Sequence, residues 1–525
     1  MIRNSKFLGG MLLFLGFFTA CSDNASDMDD IPYMGESKSF ALMSRADASV
    51  SGMAVFEENA DGSTTVTLDL NGTTSGMLPA HIHFNSAAEG GDIAVSLNPV
   101  DGATGMSVTM VSALDDGMPI TYAQLLAFDG YINVHQSMDN LATLMAQGDI
   151  GINELTETSI TYDLGSRDVE GISGSLVLTR RVSGATLAEI RLEGTPDGGM
   201  HPGHIHMNSA AEGGDIAFTF NAVDGTSGMS QTHIEALNSG APISYEELLA
   251  FDGYVNIHLS ADDLGTLVAQ GDIGRNDLTG ESKAYALDTR DRPGVQGTAT
   301  FFERVSGNSL LVVQLEGTPA DGMHPGHVHM DNAVTGGGIA LTLETVVGAT
   351  GRSETDVETL DDGTPVSYMQ WLDFDGYINI HESADNLGSL IAQGDIGQNE
   401  LTGQRMIYPL VSVSDPTIFG TATFRERVNA ETLVEVALQG TQDGDSHPSH
   451  IHMGSVDQAP GTILISLGAV SGATGMLQTN VTMLDDQTPI SYEQMVVLDA
   501  YLNVHLSAED LATLVAQGDV GINAQ

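Results

Sequence analysis

Apolar and polar residues alternate one for one through short stretches such as Thr65-Val-Thr-Leu-Asp-Leu70, Ala188-Glu-Ile-Arg-Leu192 and Val434-Glu-Val-Ala-Leu438. A period of two marks strands that turn one face inward. Asp-Gly and Gly-Thr pairs punctuate these runs, and Lys38-Ser-Phe-Ala-Leu42 and Lys283-Ala-Tyr-Ala-Leu287 read as opening strands of their segments. Two short helices are expected to interrupt the strands. The first is announced by Pro, then Ser or Thr two residues on, then Gln or Glu three further, at Thr121/Gln124, Ser244/Glu247, Ser367/Gln370 and Ser491/Gln494. That spacing is a capping box. The second is expected from Ser260 to about Ala269 and at the equivalent positions, with Gly271 ending it. Many short strands with frequent turns predict an all-β sandwich or barrel.

The pattern returns four times. His81-Ile-His83, His204-Ile-His206, His327-Val-His329 and His450-Ile-His452 recur at one fixed interval. Each is followed by a partner motif: Tyr131-Ile-Asn-Val-His135, Tyr254-Val-Asn-Ile-His258, Tyr377-Ile-Asn-Ile-His381 and Tyr501-Leu-Asn-Val-His505. Units of this size can each bury a core, unlike the shorter repeats of a solenoid. The expected divisions are a signal at 1–20, a tether at 21–33, and repeats at 34–155, 156–279, 280–402 and 403–525.

Residues i and i+2 of a strand share a face, so each His-x-His pair presents two imidazoles side by side. Asn256 and His258 share a face by the same rule. If the two strands are neighbours, His81, His83 and His135 converge in the first repeat and His204, His206 and His258 in the second. The later groups are His327, His329 and His381, then His450, His452 and His505. A fourth ligand is available on the preceding turn as His201, His324 and His447, where the first repeat has Leu78. Copper or zinc is the expected cofactor of such a set. Hydrogen-bonded structural histidines are the alternative reading. Met77, Met200 and Met323, just ahead of the turn, are expected as gap-filling core residues, with soft Cu(I) ligation as the alternative. Asp129, Asp252, Asp375 and Asp499 read as turn residues, since no loop alternates carboxylates as a calcium site does. Trp371 stands where other copies have Leu125 and Leu248, so it reads as core.

Charge narrows the function. The chain of 525 residues has 17 Lys+Arg against 70 Asp+Glu, a formal net charge of −53. Such a surface repels nucleic acid and favours cations. No Lys or Arg lies between Arg45 and Arg167, between Arg191 and Arg275, or after Arg427, which excludes an Arg clamp on phosphate or carboxylate ligands in those stretches. No Gly-rich phosphate loop follows a strand, and no Ser or Cys sits in a nucleophile context.

Cys21 is the only cysteine, so no intrachain disulfide can form. Arg3 and Lys6 precede an apolar run from Phe7 to Ala20, too short to span a membrane. The ending Phe18-Thr-Ala-Cys21 resembles a bacterial lipoprotein signal, which implies cleavage before Cys21 and lipidation of its thiol. The acidic stretch Ser22 to Asp30 would then be a tether. Ser22 with acidic residues behind it resembles sorting to the outer membrane and the cell surface.

The whole set of motifs resembles the CHRD domain, named for chordin and found in bacterial secreted proteins. The resemblance covers all four repeats. It rests on His-Ile-His, on Tyr-Ile/Val-Asn-Val/Ile-His, and on a closing Gly-x-Ile/Val strand at Gln147–Ile150, Gln270–Ile273, Gln393–Ile396 and Gln517–Val520. Members often carry Arg before that Gly, where this chain has Gln. The resemblance implies four tandem immunoglobulin-like, superoxide dismutase-like β-sandwich domains; it implies little about activity. The expected function is a lipid-anchored envelope protein acting as a binding or adhesion module for an extracellular or periplasmic ligand. A superoxide dismutase-like copper enzyme and a calcium-dependent surface protein are the alternatives.

Overall fold

The structure is a computed structural model in which residues 35–524 are described. The signal-like segment, Cys21 and the acidic tether lie outside these residues. The chain divides into two compact units, one ending at Glu154 and one beginning at Leu155.

The first unit is one repeat. Its strands are β1 (Ser37–Ser44), β2 (Ser51–Glu58), β3 (Thr64–Asn71), β4 (Met77–Phe84), β5 (Ile93–Asp101), β6 (Met106–Val111), β7 (Asp129–Ser137) and β8 (Asn140–Gly151), with helix α1 (Tyr122–Leu126) before β7. They pair in the order β1-β2-β3-β6-β5-β4-β7-β8 and close into a barrel. The closure is narrow. β5 meets β6 at the single pair Asp101↔Met106, and β1 meets β8 at Met43↔Gln147 and Ser44↔Ala146. Long ladders therefore form two groups of four, β1-β2-β3-β6 and β5-β4-β7-β8, around one core.

Strict alternation explains which side chains enter that core. Phe40, Phe56, Val66, Leu68, Ile82, Ile132 and Val134 are at most 1% exposed. Burying each such side chain stabilises the fold by ~1.5–3 kcal/mol. Leu125 of α1 plugs the barrel beside them. The capping box forms as expected: Thr121 Oγ1 accepts from Gln124 N, and Gln124 Oε1 accepts from Thr121 N. The other three repeats have the same box.

The second helix does not form. The stretch expected to be helical from Ser260 lies in the strand Asp263–Gly274, which turns back from Asp252–Ser260 at the pair Ser260↔Asp263. Asn140–Gly151 and Asn386–Gly397 do the same, and in the fourth repeat the strand is Leu514–Gly521. Asp263 Oδ1 accepts from Thr266 N, a cap-like bond that here follows a hairpin turn. Gly265 and the β-branched Thr266 and Val268 then favour extended backbone.

The second unit holds three more repeats, opening with Leu155–Ser166, Leu278–Thr289 and Leu401–Ser412. The third repeat is a closed eight-stranded barrel; the second forms a ten-stranded sheet and the fourth an eight-stranded sheet. Trp371 is fully buried, 5.0 Å from the Phe301 ring, as its helix position suggested. Buried arginines join successive repeats within this unit. Arg304 of the third repeat, 1% exposed, donates to Asp272 Oδ2 of the second at 2.8 Å and to the carbonyl of Asn276, and it pairs with Asp356 at 2.8 Å. Arg427 of the fourth donates to Asp395 Oδ2 of the third at 2.7 Å, to the carbonyl of Asn399, and to Asn480 Oδ1 at 2.8 Å.

Candidate metal centre

β4 and β7 build the site of the first repeat. Ala80, Ile82, Ile132 and Val134 point inward, so His81, His83, Tyr131 and Asn133 must lie on the outer face. The register places His81 opposite Asn133 and His83 opposite Tyr131. His135, two residues beyond Asn133, shares their face by the same alternation, and the β7–β8 pairing shifts just before it, between Val134 and His135. The same shift precedes His258, His381 and His505.

Three imidazoles thus converge four times: His81, His83 and His135; His204, His206 and His258; His327, His329 and His381; His450, His452 and His505. In each group the ligand atoms lie within 4.8 Å of one another.

Hydrogen bonding decides which nitrogens face the centre. His83 Nδ1 lies 2.9 Å from the carbonyl of Gly91, and His135 Nδ1 lies 2.6 Å from that of Leu141. A carbonyl only accepts, so both Nδ1 atoms carry the proton and both Nε2 atoms hold lone pairs. Those Nε2 atoms, with His81 Nδ1, are buried and without a partner. The second and fourth repeats repeat this arrangement through the carbonyls of Gly214 and Leu264, and of Gly461 and Leu511. In the third, His329 and His381 are held by Gly337 and Leu387, while His327 Nδ1 sits 3.0 Å from His381 Nε2.

A surrounding shell fixes these rings. Tyr131 stacks on His83 with ring centroids 4.9 Å apart, and its hydroxyl accepts from Gly91 N. Gly91 must be glycine, since a Cβ there would fall 2.0 Å from the carbonyl oxygen of Phe84. Asp149 Oδ1 accepts from Ala87 N and pins the other end of that loop. Asp272, Asp395 and Asp519 hold Ala210, Ala333 and Val456 in the same way. Tyr and Asp both stand inside the repeated motifs, yet only the folded loop reveals their work.

Two imidazoles of each group resist protonation. Burial first, then His258 and His206, push His204 from the ordinary 6.5 down to about 4. Burial, followed by the neighbouring imidazoles, also lowers His81, His327 and His450. Burial lowers His135, His258, His381 and His505 against the opposing pull of their carbonyl partners. Asp115, Asp361 and Asp485 act in the other direction on the first, third and fourth groups. The second repeat has Asn238 there, bonded to Thr219 as Asp115 is to Ser96.

The unpartnered, mutually facing nitrogens of the first, second and fourth groups fit a borderline transition metal such as zinc or copper. Without an ion their burial is uncompensated.

The turn histidines do not join. His201, His324 and His447, expected as fourth ligands, are each 1% exposed, and they lie outside the groups. Their Nδ1 atoms donate to the carbonyls of His258, Glu382, and His505 with Leu506. Parity explains it: three residues before the first ligand is an odd step, which turns the side chain to the opposite face of the strand. Met77, Met200 and Met323, expected in the core, stand 52%, 53% and 54% exposed. Asp129, Asp252, Asp375 and Asp499 accept from Asn153, Asn276, Asn399 and Asn523, a role in holding the turn. No known protein family, curated protein or solved structure matches this chain.

Proposed function

We propose that the chain is a four-site metal-binding module in which each repeat takes one copper or zinc ion on three imidazole nitrogens. One observation carries this reading: the lone-pair nitrogens that face one another without partners, two of them fixed in tautomer by backbone carbonyls. The residues that would hold the ion are His81, His83 and His135 and their counterparts in the later repeats. Three protein ligands leave one coordination position for an exogenous group.

The finer classification belongs to the same reading. The motifs support CHRD-like domains, and two four-stranded groups joined by narrow seams support a flattened sandwich of superoxide dismutase-like type. The signal-like segment supports anchoring of Cys21 in the bacterial outer membrane, with the repeats presented to a periplasmic or extracellular ligand. A copper redox enzyme is the second reading, favoured by the open position. The net charge of −53 opposes it for superoxide, because an anionic substrate gains no steering from such a field.

The test is calorimetric titration of the whole chain with Zn(II) and with Cu(II), beside the variant His204→Ala/His206→Ala/His258→Ala. Four equivalents in the parent and three in the variant are expected. A folded parent that takes up neither ion refutes the proposal.

A further inference from the structure

Two side chains support the loop that fixes His206, and both lead to one guanidinium of the next repeat. The loop spans residues 208–214, and at its far end the carbonyl of Gly214 accepts from His206 Nδ1 at 2.9 Å. Asp272 Oδ1 accepts from Ala210 N at 2.8 Å, and Asn276 Nδ2 donates to the carbonyl of Asn208 at 3.1 Å. Each support has a further acceptor, Asp272 Oδ2 and the carbonyl of Asn276. Arg304 Nη1 of the third repeat donates to both, at 2.8 Å to the carboxylate.

The third site is held alike. Asp395 Oδ1 accepts from Ala333 N and Asn399 Nδ2 donates to the carbonyl of Asp331, both at 2.8 Å. That loop ends at Gly337, whose carbonyl lies 3.1 Å from His329 Nδ1. Arg427 Nη1 of the fourth repeat donates to Asp395 Oδ2 at 2.7 Å and to the carbonyl of Asn399.

Backbone bonds fix where each guanidinium stands. Arg304 closes the strand Gln296–Arg304, and in the turn after it Val305 N and Ser306 N donate to the carbonyls of Asp277 and Arg275 in the second repeat. Val428 N and Asn429 N hold the carbonyls of Glu400 and Gln398 in the same way. Arg304 is 1% and Arg427 0% exposed, and arginine is almost never so buried unless paired. A carboxylate held through both oxygens cannot turn. Held through one, it can, and the loop amide then loses a fixed partner.

We propose, on the reading that the imidazole groups hold metal, that Arg304 and Arg427 are positioning residues for the sites of the repeats before their own. The second and third sites are each completed by the repeat that follows. Metal uptake by one repeat and docking of the next therefore favour each other.

The test uses the full chain in two forms. One keeps only the second site, through His83→Ala, His329→Ala and His452→Ala; the other keeps only the third, through His83→Ala, His206→Ala and His452→Ala. Arg304→Ala is expected to weaken Zn(II) binding about 10–100-fold in the first form and to leave the second form unchanged, and Arg427→Ala to do the reverse. A purely structural role would loosen the repeats without that crossed pattern. Arg304→Gln and Arg427→Gln, neutral but long enough to fill the space, carry the test if the alanine variants unfold. A second readout needs no metal. In the ion-free chain with ¹⁵N-labelled histidine, the Arg304 variant is expected to shift the ring nitrogens of His206 away from the Nδ1–H tautomer, and the Arg427 variant those of His329. Affinities unmoved by the arginine substitutions, equal falls at both sites, or ring nitrogens that stay in place overturn the proposal. A parent chain that takes up no Zn(II) refutes the metal reading instead, and the ring nitrogens then decide for or against the arginines.

Discussion

Proton competition at the second repeat tests the burial of its imidazoles quantitatively. A metal ion needs neutral imidazole, so protons compete with it at each ligand. An ordinary imidazole with a pKa of ~6.5 is about 91% neutral at pH 7.5 and about 9% neutral at pH 5.5, a tenfold loss. Three such ligands would weaken binding by about a thousandfold across that range. His204, held at about 4, is still about 97% neutral at pH 5.5, and His258 is lowered as well. The lowered His204 removes one of the three decades and the lowering of His258 reduces the fall further, leaving a weakening below about a hundredfold. The assay is chelator competition for Zn(II) from pH 7.5 to 5.5, in a chain whose other groups are disabled by His83→Ala, His329→Ala and His452→Ala. A thousandfold fall would refute the reasoning. The same shift makes the ion-free protein acid-labile. Because the folded value lies below the unfolded one, its contribution to stability is complete above pH ~6.5 and is lost as the pH falls toward 4.

Four further outcomes follow from particular contacts. Tyr254→Phe keeps the ring stacked on His206 but orphans Gly214 N, and Zn(II) affinity at that repeat should fall by about 10–100-fold in the same competition assay. Asn238→Asp should raise that affinity by roughly two- to tenfold, since the other repeats carry a carboxylate there; an unchanged value would remove the carboxylate from the account. Arg427→Ala leaves Asp395 and two buried acceptors without their partner, and denaturant unfolding should show a loss of ~3–5 kcal/mol in the second unit. Trp371→Ala empties a fully buried site against Phe301 and Phe374 and should cost ~3–5 kcal/mol in the third repeat by the same measurement.

Much of this architecture is visible in sequence because strand chemistry has a period of two. Alternation at Thr65 to Leu70 and Ala188 to Leu192 predicts strands that the structure contains as Thr64–Asn71 and Thr186–Glu193. The i, i+2 spacing of each His-x-His pair predicts a shared face, and the structure makes it the outer one for His81 and His83. The capping boxes were equally plain, because cap and partner sit three residues apart.

What escaped depends on longer range or on a competing local signal. That β4 and β7 are neighbours, the condition on which His135 meets His81 and His83, is a matter of long-range pairing that no local stretch announces. The odd step from His204 back to His201 turns the turn histidine away from the group, a parity that runs across Pro202 at the join of two short strands. At Asp263 a cap-like hydrogen bond follows a hairpin turn, since the preceding strand offered a ladder to complete. The carbonyls of Gly91 and Leu141 carry no side-chain signature at all, yet they fix the tautomers on which the metal assignment stands.

X-ray absorption at the zinc edge of the fully loaded chain tests that assignment most directly. The account predicts three imidazole nitrogens at ~2.0–2.1 Å with the multiple scattering of the ring and one exogenous ligand. In the variant His204→Ala/His206→Ala/His258→Ala the zinc absorption step per chain should fall by about a quarter while the shell per zinc stays the same. A zinc shell made of carboxylate oxygens, or a zinc content per chain untouched by those substitutions, would contradict the claim that the facing nitrogens are ligands.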